Sequence, residues 1–471
     1  MNTIQILYYS VFLAVPLLLG LTLPISAVLA GRYARYFVYP YLAVLIFFTG
    51  STYGLIGDEA TDTTIYSRGS GRLFFGFVNL YLYWLGLMVL FDSLWNKYQA
   101  PKAGIRIFLF LFSLLFLAHI PVGLYLDERF FMIIHGSGVL NVFNMTVLVY
   151  VMLRVFRDQK SVNELVLLFL ACVLARCLWG LFRYVFLDGD PANYYANVQQ
   201  IAVKLTFFDI NESVLAGMAA FMAAWRLVDG SEGDSSNRRF FYWVIAIAGV
   251  LVILLSFRRT AWLGLVAAGL VFIYWHRHRI SFIKLAPILG LTLITLGIFW
   301  SERFQFSASN DLLASLFPDM ASGGSVSLQS GRFVELELAL ASIFRSPILG
   351  VGTWGEYTSS SRAEVAFHGG RFFYMHSGFL HVWLKTGLIG LVLFSGALLA
   401  STYSALRAQS ELDSPEMRAL AGAGIIGLVM SLPNLFFGTP IIEYRTMQIL
   451  GLALVLPYLA RCVLATRKAA C

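Results

Sequence analysis

Runs of about twenty apolar residues recur along almost the whole of this 471-residue chain, and that repetition restricts the fold more than any single residue does. A helix crosses a hydrocarbon core of roughly 30 Å with about 20 apolar residues. Inside a bilayer every backbone N–H and C=O must be bonded within the protein, which leaves helices or a closed barrel. The alternating segments of about ten residues that build a barrel are absent. The sequence therefore predicts an all-α polytopic membrane protein. Charge content agrees: 13% of the residues are charged, against about a quarter in soluble domains.

Spans are predicted at 6–30, 37–56, 73–92, 105–126, 131–153, 165–187, 208–226, 240–257, 260–276, 284–301, 376–403, 419–438 and 441–462. That makes 12–13 transmembrane helices, one of the thirteen segments being open to an interfacial reading. Three parts follow: a first set of helices in 1–301, a hydrophilic loop in 302–375, and C-terminal helices in 376–463. The opening MNTIQILYYSVFLAVPLLLG lacks a basic start and runs on as a full span, so it is expected to be a retained helix rather than a cleaved signal. Cys172, Cys177, Cys462 and Cys471 show no metal-type spacing and are expected in core or tail positions.

Basic residues set orientation. Alternate connections hold nineteen Lys and Arg on one side (Arg154, Arg157, Arg226 and Arg461 among them) against seven in the opposite short loops. The richer side is read as cytoplasmic, with the C-terminus. The long loop, the "RRTAW" turn at 258–262 and His376 then face outside. In such a chain the net charge of +8 reports topology, and no nucleic-acid partner is expected. Within the loop, Phe333, Leu336, Leu340 and Phe344 recur at helical spacing and predict a helix over 331–344, lying on the outer membrane face.

Arginine gathers on that outer side: Arg258, Arg259, Arg303, Arg332, Arg345, Arg362 and Arg371. One arginine of the 258–259 pair is readily explained by snorkelling to headgroups. Two together at a tight turn favour a site, because guanidinium forks match phosphate oxygens bidentately. On composition alone Arg332 and Arg345 read as solvated loop charges. His376 opens its span, where an interfacial histidine bonded to a carbonyl is the commoner case and a general base is the functional one. His381, five residues on, lies on another helix face, so the two make a poor metal pair. Arg176 and Arg183 share a face. For them, pairing with Glu212 or Asp209 weighs equally with substrate contact. His119 and His135 read as packing residues, Lys385 as either a bundle pair or a donor contact, and Gly387 with Gly390 as a close helix approach.

Nucleotide-loop, metalloprotease, nucleophile-elbow and EF-hand patterns are absent, as is an acidic pair suited to a metal for nucleotide-sugar transfer. Chemistry outside the membrane has no ATP. A leaving group there must carry its own driving force, as a polyprenyl diphosphate does.

The ordered motifs SFRRTAWLGLV, QSGRFVELELALASIFRSPILGVG and HSGFLHVWLKTGLIGLVLF resemble the O-antigen ligase/polymerase superfamily of bacterial envelope glycan transferases. The resemblance rests on Arg259, Arg332, Pro347–Gly350–Gly352, His376–Ser377 and Gly387–Gly390, and covers about 200–400. Arg258 ahead of Arg259 departs from the single arginine of the family pattern and leaves open which of the two matters. The resemblance implies a multi-pass protein of the bacterial inner membrane with its site facing the periplasm. The donor would be a glycan on undecaprenyl diphosphate. The acceptor would be a lipid A–core sugar for a ligase, or the growing glycan for a polymerase. His376, Arg332 and Arg259 are the implied catalytic residues, and Arg258, Arg345, Ser377 and Arg183 the substrate-binding ones. No metal and no cofactor are expected, and transfer would invert the anomeric centre. Ligase leads weakly over polymerase, on the single large outer loop. A lipid-linked glycan transporter would want basic residues running through the membrane. A glycan-to-protein transferase would usually carry a further C-terminal domain.

Overall fold

The computed structural model describes residues 34–48, 76–95, 103–128, 130–134, 137–193, 203–230, 235–278, 331–358, 371–372 and 375–470, with Thr22, Tyr66 and Gly297. Apart from Thr22 and Gly297, the predicted spans at 6–30 and 284–301 lie outside the described residues, as do Arg303, Arg362 and His135.

The described chain is helical: α1 (Ala34–Phe47), α2 (Phe77–Trp95), α3 (Ile105–Tyr125), α4 (Phe130–Ile134), α5 (Val139–Val155), α6 (Gln159–Phe186), α7 (Ile210–Val228), α8 (Ser236–Leu254), α9 (Arg259–His276), α10 (Gly331–Arg345), α11 (Gly378–Glu411), α12 (Pro415–Phe437) and α13 (Tyr444–Ala470). Among the described residues the only strands are a two-residue antiparallel pair, β1 (Tyr357–Thr358) and β2 (Arg371–Phe372). Helices α2, α3, α6, α8, α11, α12 and α13 are long and apolar enough to cross a membrane.

Local chemistry corrects several predicted boundaries. Helix α6 begins at Gln159 rather than 165 because Asp158 and Ser161 form a reciprocal capping box. Ser414 caps α12, and Pro415 sits in its first turn, where a missing N–H is harmless. The segment predicted as one span over 131–153 is two helices, α4 and α5, joined through Gly138 at φ 77°. A Cβ there would lie 2.4 Å from the Ile441 carbonyl oxygen, so glycine is required by both angle and space.

Helices α12 and α13 form the centre. The apolar window of α13 is 94% buried and that of α3 only 28%, which puts α3 at the rim. Small residues let α12 be approached closely: Gly422 faces Trp225, Gly424 faces Pro457, and Gly427 faces Met218.

The two sets of connections separated by charge fall at two ends of the bundle. The basic-rich end is tied by Arg226–Glu416 at 2.8 Å, Arg418–Asp229 at 3.0 Å, Arg461–Glu411 at 3.1 Å and Arg157–Asp92 at 3.3 Å. The other end carries the loop before α7, the α8–α9 turn, α10 and the starts of α11 and α13. A helix leaves its last carbonyls without partners, and at this end α1 is completed by distant side chains. Arg445 donates to the Leu45 and Ile46 carbonyls at 2.8 Å each, and Tyr66 donates to those of Val44 and Phe48. Burial holds the Tyr66 phenol above its ordinary pKa, so it stays a neutral donor.

Candidate functional site

The turn between α8 and α9 is held rigidly. Phe257 adopts φ 51°, a left-handed conformation that costs a bulky residue ~1–2 kcal/mol. Its neighbours hold it there. Trp262 Nε1 donates to the Leu254 carbonyl at 3.0 Å, the Thr206 hydroxyl to that of Val252 at 2.9 Å, and the Thr206 N–H to that of Leu255 at 3.0 Å. Arg258 follows as the N-cap of α9, its guanidinium stacked 4.2 Å from the centre of the Phe208 ring. Among the described residues Arg258 makes no ion pair. Arg259 is the first residue of α9, beside it.

Three other arginines at this end are taken up by carboxylates. Arg176 donates to Glu212 Oε1 through Nη2 at 2.9 Å and Nε at 3.2 Å. Arg445 bridges Asp209 and Glu212 at 2.9 Å each. Of the two readings open for Arg176, the geometry shows the carboxylate pair. Arg183 pairs with Asp190 at 3.2 Å and donates to the Thr206 carbonyl at 2.9 Å. It therefore supports, through Thr206, the turn that carries Arg258. The Phe207 ring lies between Arg176 and Arg183, 4.6 and 4.9 Å from the two guanidinium carbons.

Helix α10 forms as predicted, with Leu336 and Leu340 packed against a small buried cluster and Phe344 turned away from it. Ala339 and Ile343 are fully buried with Tyr357, Met375 and Leu384, while Phe344 is 67% exposed beside Trp383. Glu335 faces the head of α11. Its Oε2 lies 2.9 Å from His376 Nδ1, and its Oε1 accepts from the His376 backbone N–H at 3.1 Å and from the Tyr357 hydroxyl at 2.9 Å. Arg332 lies in the first turn of α10, three residues before Glu335 in sequence. Ser377 caps α11 by accepting from the Leu380 N–H, and His381 bonds the Ser137 carbonyl at 3.0 Å, away from His376. Arg345 ends α10 and is exposed.

Gly387 is a break, not the close helix approach its spacing suggested. At φ 66° and ψ −168° it interrupts α11 one turn below Trp383, and the loop SPILGVG fills the gap. The Leu384 and Lys385 carbonyls, which would otherwise bond down the helix, accept from Val351 at 2.8 Å and Gly352 at 3.2 Å. The Leu388 and Ile389 N–H groups donate to Pro347 at 2.8 Å and Ile348 at 3.4 Å. The two glycine motifs of the sequence thus dock on one another. Lys385, fully buried, donates to the Gly355 carbonyl at 2.6 Å and ties down the far side of the same loop. His119 packs against Trp354 of that loop, as a packing residue should.

The arginine turn and His376 share this end, on two helices that flank α12: Gly264 of α9 lies against Met430, and Gly378 of α11 against Leu435. Residues 243–395 match the family model described as O-antigen ligase. That stretch, about a third of the chain, is similar to the O-antigen ligase family. The match runs from α8 through the turn, α10, the docked loop and His376 to the break in α11, so it encloses the whole constellation. No curated protein matches the chain.

Glu335 is the residue missed from the sequence. It stands in VELELAL, where nothing separates it from Glu337 except its spacing to Arg332. Among the described residues no three His, Cys, Asp or Glu side chains gather as a metal site.

Proposed function

We propose that this chain is an O-antigen ligase that moves a polysaccharide from undecaprenyl diphosphate to a lipid A–core sugar at the periplasmic face of the inner membrane. The observation that carries the reading is the Glu335–His376 pair at the same end of the bundle as Arg258 and the first turn of α10. The acceptor hydroxyl gives its proton to His376 as its oxygen attacks the anomeric carbon. The bond from that carbon to the diphosphate breaks, and the leaving diphosphate keeps the electron pair. Arg258, Arg259 and Arg332 meet the charge that grows on it. Attack opposite the leaving group inverts the centre. Guanidinium groups fill the role a metal takes elsewhere, so chelators should leave the rate unchanged; loss of activity with chelator and recovery with a divalent ion would overturn that point.

The deciding experiment supplies purified protein with lipid-linked glycan plus lipid A–core, and separately with lipid-linked single repeats. Glycan on the core sugar supports ligation. Longer lipid-linked chains, with nothing on core, identify a polymerase instead.

Arg258→Ala is expected to lower kcat/KM roughly 10- to 150-fold, the scale of one charge-assisted hydrogen-bonding contact. Arg258→Lys should recover only part of this, since an ammonium lacks the fork and stacks less well on Phe208. Initial rates on both variants check it, and wild-type kinetics in Arg258→Ala would remove Arg258 from the diphosphate site.

A further inference from the structure

We infer that Glu335 is a positioning residue that fixes which ring nitrogen of His376 carries the proton, with Tyr357 fixing the carboxylate in turn. The inference rests on the base role proposed above for His376.

An ionised carboxylate has acceptor sites and no donor. Facing Glu335 Oε2 at 2.9 Å, the neutral His376 ring must carry its proton on Nδ1. Nε2 is then the nitrogen with the lone pair, and it is the atom that receives the acceptor hydroxyl proton. The other carboxylate oxygen is committed as well, accepting from the His376 backbone N–H at 3.1 Å and the Tyr357 hydroxyl at 2.9 Å. Glu335 therefore holds the ring from its own backbone and from its side chain at once. The side chain of Glu335 is 11% exposed and that of His376 is 24%, so the carboxylate lies deeper than the ring it orients.

Glutamine at this position has the same shape and the opposite effect. Its carbonyl oxygen must stay on the backbone N–H, because an amide N–H₂ placed there would oppose a donor that cannot become an acceptor. The N–H₂ is then forced onto Nδ1. A donor facing Nδ1 moves the ring proton to Nε2, and the nitrogen that should accept the hydroxyl proton is blocked. The backbone contact thus makes the substitution directional, where an isolated Glu–His pair would let the amide flip.

Three proteins in detergent or nanodiscs test this: Glu335→Gln, Tyr357→Phe and His376→Ala. Glu335→Gln is expected to lower kcat by about 10²- to 10⁴-fold, the range of general-base catalysis, with KM within a factor of about three. Tyr357→Phe leaves the carboxylate on Nδ1 and should cost less than tenfold. Adding Glu335→Gln to His376→Ala should cost nothing further, as expected for groups acting as a unit. The ¹⁵N spectrum of histidine-labelled protein, with the His376 signals found by difference against His376→Ala, reads the tautomer without any turnover. It should show the proton on Nδ1 in the wild type and on Nε2 in Glu335→Gln, at an unchanged melting temperature. A fully active Glu335→Gln beside an inactive His376→Ala overturns this inference alone, as does an unchanged tautomer. An active His376→Ala overturns the base reading and this inference with it.

Discussion

A Gly387→Ala protein is expected to lose the docked SPILGVG loop and, with it, the folded outer end of α11. Two independent costs act at this position. At φ 66° and ψ −168° the backbone is in a region that essentially only glycine visits, at ~1–3 kcal/mol for other residues. A Cβ would also stand 2.0 Å from the Ile348 carbonyl oxygen and 2.5 Å from the Leu349 nitrogen. Those are backbone atoms, so no side-chain rotation gives relief.

The loop has to move away, and then the break in α11 is uncompensated. The Leu384 and Lys385 carbonyls and the Leu388 and Ile389 N–H groups lose their partners together. Irregular backbone in apolar surroundings persists only where the protein satisfies it. At ~1–3 kcal/mol for each unmet buried group the sum reaches the whole stability of an ordinary domain. The outcome to look for is a loss of monodisperse protein, or rapid proteolysis within 346–352, with no transfer. Gly269→Ala is the control: nothing lies within 4 Å of a Cβ there, and alanine in a helix interior is worth ~1 kcal/mol over glycine. A Gly387→Ala protein that melts with the wild type would mean the loop is not docked in the break.

The break also shows what a linear reading could and could not reach. Apolar runs of membrane length are local, and counting basic residues is local too, so the helical class and a division of the connections into two sets could be read along the chain. The partner of Arg176 was within reach because Glu212 is a carboxylate of opposite charge at the start of the next predicted span, on the same side of the membrane. Lys385 is bonded to the Gly355 carbonyl and Gly387 is filled by Ile348, contacts at similar separations but with backbone groups that no complementary charge announces. Spacing within a motif says nothing about which other motif it will meet. Within α10, Leu336 and Leu340 pack as their spacing suggests, and Phe344 does not. Phe344 and Ile343 are equally apolar, yet Phe344 is exposed and Ile343 buried. In a chain whose solvent is lipid, hydrophobicity does not mark the side that packs against protein.

The second large effect is expected at Arg445, a residue the sequence offered only as one charge in a short loop. Its guanidinium is 3% exposed and points four ways: to the Leu45 and Ile46 carbonyls at the end of α1, and to Asp209 and Glu212 at the start of α7. Arg445→Met keeps much of the volume and removes every one of these contacts. Glu212, 2% exposed, is then balanced by Arg176 alone, and α1 loses two terminal acceptors' partners. Breaking a buried ion pair from one side costs ~3–5 kcal/mol, and the uncapped carbonyls add to it. Arg445→Met should therefore give little folded protein, and Arg445→Lys should not rescue it, because one ammonium on a single stem cannot reach two carboxylates and two carbonyls. Glu411→Ala, at an exposed pair with Arg407 and Arg461, should shift the melting midpoint by no more than ~1 kcal/mol allows. Melting curves of the three proteins rank these effects. If Arg445→Lys melts as the wild type does, charge alone holds this end together and the four-way geometry is dispensable; if it fails as Arg445→Met does, the fork itself is what positions α1 and α7 beneath the arginine turn.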